Sequence, residues 1–233
     1  TKMGLNNFIA REPRVLPIFI LADASGSMRG EKINELNLAL REMLNVLNNV
    51  DDIRGKFQLC VISFGGEVEV VQPLADIDGM ILPELTASGN TPMGEAFDLV
   101  REMVEDRDIV SSRAYAPTVV LISDGIPTDC SEEIYSKKLY ANWEPLNNLH
   151  SGERTAKSQR LALGIGADAD YGMLKKFINN SDIPVIKANN VAGIKKFFKW
   201  VTMSTVARMN SANPNVTSTV APIFDMDEED III

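Results

Sequence analysis

An α/β fold is the reading that the chain's pattern supports, on three observations. Two short, nearly continuous apolar runs each stop at an aspartate. Stripes of apolar residues three or four apart fall between such runs, and the two kinds of segment alternate along most of the chain. Residues 15–22 (VLPIFILA) form the first run, apolar and partly β-branched as in a strand buried on both faces, and it ends at Asp23. After the polar stretch DASGSMRGE, the positions Ile33, Leu36, Leu40, Leu44 and Leu47 line one face of a helix. Residues 57–64 predict a second strand. Gly65 and Gly66 then turn the chain into the alternating Glu67, Val68, Glu69, Val70 and Val71, an antiparallel edge strand.

A loop of Ala87, Ser88, Gly89, Asn90 and Thr91 leads to Pro92 at a first helical position, and Met93, Ala96, Phe97, Val100 and Val104 make the next stripe. Residues 118–123 (TVVLIS) are a second buried strand, again stopping at an aspartate, Asp124, followed by Gly125. The rhythm continues with a helix over 132–140, a strand over 161–166, a helix over 171–179, a strand over 184–187 and a last helix from Val191 to about Thr205. Such alternation predicts a mostly parallel central sheet with one antiparallel edge strand and helices on both faces, a Rossmann-like three-layer αβα sandwich. Its site is expected outside the carboxyl ends of the strands. Asp23 and Asp124 both fall there.

The expected organisation is an N-terminal extension over 1–14, one domain over 15–204, and an acidic, flexible tail over 205–233. Residues 209–233 hold five acids and no Lys or Arg, so they carry −5 of the net charge of −9 and leave −4 on the rest. With 233 residues, 45% of them hydrophobic, the chain can bury a core without disulfide staples. Two cysteines, Cys60 and Cys130, suggest neither a disulfide framework nor a zinc site, and read as reduced thiols. The acidic balance and the lack of a basic patch argue against nucleic acid. No apolar run reaches the roughly 18 to 20 residues of a membrane span. The start, Thr1-Lys2-Met3-Gly4, lacks a secretory pattern, so a soluble, cytoplasmic protein is expected.

Three polar loops supply side chains of one kind: Asp23, Ser25 and Ser27 from the first, Thr91 from the second, Asp124 from the third. Hard divalent cations take oxygen ligands, and magnesium keeps waters or outside ligands where one or two carboxylates leave positions unfilled. Two carboxylates balance a double charge, while neutral hydroxyls add geometry without further charge. The ion is left electrophilic enough to attract an outside anion. Taken singly, each of these residues is an ordinary helix cap or turn former; it is their order after successive buried strands that points to a metal. Gly26 and Gly30 are expected to supply the sharp turns that aim the two serines.

Asp23-Ala24-Ser25-Gly26-Ser27 after a buried strand, Thr91 in a later loop, and Asp124-Gly125 after another strand together resemble the metal-ion-dependent adhesion site of von Willebrand factor type A (VWA) domains. The phrases DASGSMRGEKI, ASGNTPMGEA and LISDGIPTD are similar to the bacterial TerY-like group associated with tellurium resistance and chemical stress. The resemblance spans residues 15–204. It implies an α/β sheet sandwiched by helices, with Ser25, Ser27 and Thr91 binding the ion directly and Asp23 and Asp124 directly or through water. A partner's glutamate or aspartate is implied as the completing ligand. Ala24 stands at a position that is not a ligand.

Other chemistries fail on residue type. GSMRGEK lacks the spacing of a phosphate-binding loop and no hydroxyl follows Lys32; GIGADAD, residues 164–170, makes a poor dinucleotide fingerprint. Ser25 stands where a phosphatase-like pair would need its second aspartate. The single histidine, His150, lies in the polar stretch NNLHSGER and reads as a solvated loop residue, which leaves a serine hydrolase without a base. No Lys, His or further carboxylate is expected beside the site. The expectation is therefore a binding module and not an enzyme. It would hold Mg2+, or alternatively Mn2+ or Ca2+, and recognise an acidic residue of a protein partner in a bacterial stress-response or defence system. Kinase, phosphatase or other stress-operon proteins are the expected partners. Self-association through the tail, with residues 225–233 as a docking peptide, is a further expectation. A Mg-dependent phosphohydrolase and a scaffold with a purely structural metal are the alternatives.

Overall fold

The computed structural model describes residues 13–50, 55–218, 220–221 and 231–232. Strand β1 (Arg14–Asp23) sits centrally, paired in parallel with β2 (Gly55–Gly65) on one side and β4 (Thr118–Ser123) on the other. Strand β5 (Gln159–Ile165) continues in parallel beside β4, and β6 (Val185–Ala188) beside β5. At the far edge β3 (Glu67–Asp76) runs antiparallel to β2, as the Gly65-Gly66 hairpin predicts, and extends five residues beyond the alternating stretch. The order is β3-β2-β1-β4-β5-β6-β7.

The helices are α1 (Glu31–Asn48), α2 (Met93–Glu105), α3 (Glu132–Ser136), α4 (Glu144–Ser151), α5 (Tyr171–Ile178) and α6 (Val191–Asn210). Helices α1 and α6 pack together on one face. On the other, α2 packs on α4, and Phe97 of α2 stacks on Phe177 of α5 with centroids 5.3 Å apart. Strands β1, β4 and β5 are buried along nearly their whole length, which is why they read as continuous apolar runs rather than alternating ones. Because β1 lies between β2 and β4, the connections leaving its end and that of β4 diverge to opposite sides. This is the crevice where open α/β sheets place ligands.

Several expectations need correction. The predicted helix over 132–140 stops at Ser136, and a short 3-10 turn (Tyr140–Asn142) and α4 follow in a connection that reads as polar. Apolar anchors there are few but deeply buried: Trp143 packs on Phe97 and Tyr140, with Leu146 and Leu149 beneath it. The boundary expected at 204 falls inside α6. Beyond that helix the chain folds back on it. Arg208, fully buried, donates to the carbonyl of Pro214 (2.7 Å), the Trp200 indole N–H donates to the carbonyl of Ala221 (2.9 Å), and the Ala221 N–H donates to Ser204 Oγ (3.0 Å). Strand β7 (Ile231–Ile232) pairs antiparallel with β6, a second antiparallel pair where only one was expected. The acidic run Asp225 to Asp230, and with it most of the proposed docking peptide, lies outside the described residues, as does the extension up to residue 12.

Candidate metal centre

Strand β1 ends on Asp23 and β4 ends one residue before Asp124, and the two strands are direct neighbours, with Ala22 opposite Ile122. Pairing alone brings the two aspartates to one rim. The first loop then turns over it through a 3-10 turn (Gly26–Met28) before α1 begins. Ser25 and Ser27 lie two apart with their hydroxyls 3.0 Å from each other. Ser27 Oγ donates to Asp124 Oδ1 at 2.7 Å. Four of the five expected residues are buried, Asp23 completely, whereas Ser27 is exposed and marks the mouth.

Asp23 is bonded on both oxygens: Oδ1 accepts the Ser25 N–H at 2.9 Å and Oδ2 accepts the Ser123 hydroxyl at 2.6 Å. Burial pushes the Asp23 carboxyl above the ordinary carboxylate range, and the charge of Asp124 adds to this, against the pull of the Ser123 and Ser25 hydrogen bonds. No ammonium or guanidinium pairs with Asp23 among the described residues. Thr91 is held by its backbone: its N–H donates to Thr128 Oγ1, and its carbonyl accepts from the N–H groups of Met93 and Thr128. Its hydroxyl lies over Gly125, 3.9 Å from where a Cβ on that residue would stand. Pro92 is the residue before α2 rather than its first, so Thr91 stands one step further from the helix than the sequence implies.

The loops interlock. Ala24 N–H donates to Phe64 carbonyl (3.0 Å), Ser88 N–H to Ala24 carbonyl (2.7 Å), Gly26 N–H to Gly89 carbonyl (3.0 Å) and Gly66 N–H to Asn90 carbonyl (2.9 Å). The glycines that matter are therefore Gly65 and Gly89. A Cβ on Gly65 would meet the Ala24 carbonyl oxygen at 2.1 Å, and one on Gly89 the Gly66 Cα at 2.4 Å. Gly26, expected to bend the loop, has no positive φ, whereas Gly30 does, at 82°.

Two neighbours escaped the sequence reading. Lys32, in the first turn of α1, places Nζ 2.5 Å from Asp124 Oδ2, although no lysine was expected beside the site. Its distance from Asp124 in sequence hides this pairing, but its place one turn after the serine loop is a usable signal. Ser123, the last residue of β4, is a hydroxyl that closes the apolar stretch of Val119 to Ile122. His150 lies away from the site on α4, half-buried, with Nε2 3.2 Å from the Phe177 carbonyl, and is not a solvated loop residue. Asp170, closing GIGADAD, caps α5 by accepting the Met173 N–H at 3.0 Å.

The donor set fits a hard cation. All five side chains offer oxygen, two of them carboxylates, and a hydroxyl that gives its proton to a carboxylate keeps its lone pairs for a cation. Among the described residues no group of three His, Cys, Asp or Glu side chains gathers in a way that could hold an ion, so the candidate rests on two carboxylates and three hydroxyls.

Residues 18–126 match the sequence profile of the von Willebrand factor type A domain. A curated relative, inter-alpha-trypsin inhibitor heavy chain H4 of Sus scrofa, is 28% identical over 168 residues, covering 68% of this chain and 16% of its own length. The fold is similar to that of a von Willebrand factor type A protein from Catenulispora acidiphila, with a TM-score of 0.61, 17% identity, and coverage of 84% of this chain and 43% of that one. It is also similar to proximal thread matrix protein 1 from the mussel byssus with a zinc-occupied MIDAS motif (TM-score 0.60, 19% identity, 82% of this chain and 48% of that one). This chain thus spans less than half the length of each of these three proteins. Residues 18–126 thus carry the match to the von Willebrand factor type A domain, and the fold of the described residues is similar to that of a solved protein of that name.

Proposed function

We propose that the domain is a divalent-cation-dependent interaction module, in which Asp23, Ser25, Ser27, Thr91 and Asp124 hold the ion. The observation that carries this reading is Asp23. A wholly buried carboxylate with a second carboxylate nearby is costly unless positive charge joins it, and among the described residues the Lys32 ammonium pairs with Asp124 and not with Asp23. Bound there, a hard cation supplies an electrophilic point for an outside carboxylate oxygen. The chain's own residues do the rest. Ser123 and the Ser25 N–H fix the Asp23 carboxylate, Asp124 fixes the Ser27 hydroxyl, and the exposed Ser27 leaves the mouth open to a partner. Ile126, 40% exposed just beyond Asp124, offers an apolar contact beside it.

Magnesium is the ion we assign, with manganese or calcium as substitutes; the zinc in the related byssus protein makes zinc a necessary arm of any titration. The partner is a protein presenting Asp or Glu. The TerY-like phrases support a bacterial, cytoplasmic stress-response or defence setting, with a kinase or phosphatase among the partners. The site is read as binding and not catalytic: His150 is remote, and the nearby ammonium of Lys32 is committed to an ion pair.

Calorimetric titration of the chain with magnesium, manganese, calcium and zinc tests this. Wild type should bind one ion, and Asp23→Ala should bind none while keeping its circular dichroism. At an ion concentration of 100 times Kd, the bound state gains about 2.7 kcal/mol, visible as a rise in Tm. Equal binding by wild type and Asp23→Ala would defeat the assignment.

A further inference from the structure

Lys32 is the cationic side chain that an ion pair ties to a carboxylate of this rim, so its charge opposes that of the proposed ion, whereas Arg29 in the same loop donates Nε to the Ala87 carbonyl at 3.3 Å. Its ammonium touches Asp124 Oδ2 at 2.5 Å, while Asp124 Oδ1 takes the Ser27 hydroxyl at 2.7 Å. The two oxygens of one carboxylate are thus divided, the Ser27 hydroxyl on Oδ1 and the lysine on Oδ2. The Asp124 side chain has no solvent exposure and that of Lys32 has 38%, so a buried carboxylate is paired with a lysine that is partly open to solvent.

Charge then decides what the lysine does. Two carboxylates and one ammonium sum to −1. A dication brings the group to +1, which attracts a carboxylate, whereas the same group without the lysine would be −2 and then 0. Like charges within a few ångströms in a partly buried rim repel far more than in water, so Lys32 weakens cation binding and strengthens anion binding at the loaded site. We propose that Lys32 is a specificity-determining residue that holds cation affinity down and makes tight capture of the outside carboxylate depend on its own charge as well as on the ion. This deepens the preceding reading and rests on it. The lysine reaches the rim because α1 starts with Gly30 at φ 82° and Glu31, which puts Lys32 in the turn of the helix nearest the serine loop.

The test titrates wild type, Lys32→Met and Lys32→Arg with magnesium alone and with manganese alone. It then measures acetate binding at saturating manganese through broadening of the acetate methyl proton resonance. Lys32→Met should bind either metal at least tenfold more tightly than wild type and bind acetate at least fivefold more weakly. Lys32→Arg, which keeps the charge, should stay within threefold of wild type in both. If the lysine merely props Asp124 in place, Lys32→Met would bind metal equally or more weakly, and the proposal is overturned. Unchanged acetate binding in Lys32→Met overturns it too. Should Lys32→Met lose its native circular dichroism, Lys32→Gln replaces it under the same criteria. Metal binding by wild type with no change in the variants defeats only the role of Lys32. No binding by any of the proteins defeats the metal site itself and this inference with it. Binding by Lys32→Met where wild type shows none supports the inference strongly.

Discussion

His150 shows how far one side chain's environment departs from its sequence neighbours. Burial lowers its pKa, the Arg160 charge lowers it further, and the Phe177 carbonyl pulls the other way. Its folded pKa therefore lies below the unfolded value of about 6.5. Between those two values the unfolded chain binds more protons, so the His150 contribution to stability is full above the unfolded pKa and declines as pH falls through the window. Urea unfolding followed from pH 7.5 to pH 5 should show that decline in wild type, and a shallower one in His150→Gln; parallel curves would remove the assignment. Its burial was not legible because NNLHSGER carries a single apolar residue, Leu149, and the other leucine that anchors the helix, Leu146, lies outside that phrase. The five oxygen donors were legible because each follows a strand or loop whose pattern is unmistakable. Lys32 was harder to see, since its partner is 92 residues away and its place one turn after the serine loop is the sole local signal.

At the scale of elements, the rim is held less by the strands than by loops bonded to one another. Ala24 gives its N–H to Phe64 at the end of β2 and accepts from Ser88, so the segment between Asp23 and Ser25 is tied to a strand end and to the loop before α2. Gly65→Ala drives a methyl into the Ala24 carbonyl and should cost about 2 kcal/mol or more. Chemical denaturation measures that loss, and the same displacement should weaken magnesium binding. A variant as stable as wild type would mean that the loops separate easily. Strands β1 and β4 were readable almost to the residue, because a strand covered on both faces must be apolar throughout. Helix α4 was not, since eight residues with two deeply buried leucines make too short a stripe to stand out. Helix α6 exceeds its expected end for a related reason: its last turns bury Thr202, Ser204, Thr205 and Arg208, polar residues that read as a surface.

At the scale of the whole molecule, the segment after α6 belongs to the fold. Arg208 also donates to Thr118 Oγ1 at 2.8 Å and to the Ala116 carbonyl, Gln159 Nε2 donates to the Thr217 carbonyl at 2.8 Å, and Asn215 Oδ1 accepts the Ala116 N–H at 3.0 Å. These bonds join the start of β4, the start of β5 and the end of α6 at the end of the sheet opposite the rim that carries Asp23 and Asp124. Removing residues 211–233 strands several buried donors, each worth about 1–3 kcal/mol when unsatisfied, so a loss of about 3 kcal/mol is expected. Calorimetry should show Tm lower by roughly 6–12 °C for a domain of this size. Tryptophan emission should move to longer wavelength as the Trp200 indole loses the Ala221 carbonyl. An unchanged Tm would make the segment an appendage after all. Composition alone could not announce this packing, because Asn, Ser and Thr serve a solvated tail and a hydrogen-bonded strap equally well.

The antiparallel pairing of Ile231–Ile232 with β6 has a consequence for the chain in concentrated solution. An open row of amide groups beside Val185 and Ile186 would be a template on which neighbouring molecules could stack into fibres. Two isoleucines occupy part of that row, and the opposite border, β3, carries Glu67, Glu69 and Pro73, which discourage recruitment of a foreign strand. Both flanks of the sheet are guarded, one by the pairing of Ile231–Ile232 and the other by charge and a missing amide hydrogen, so neither border invites fibre growth as the solution becomes crowded.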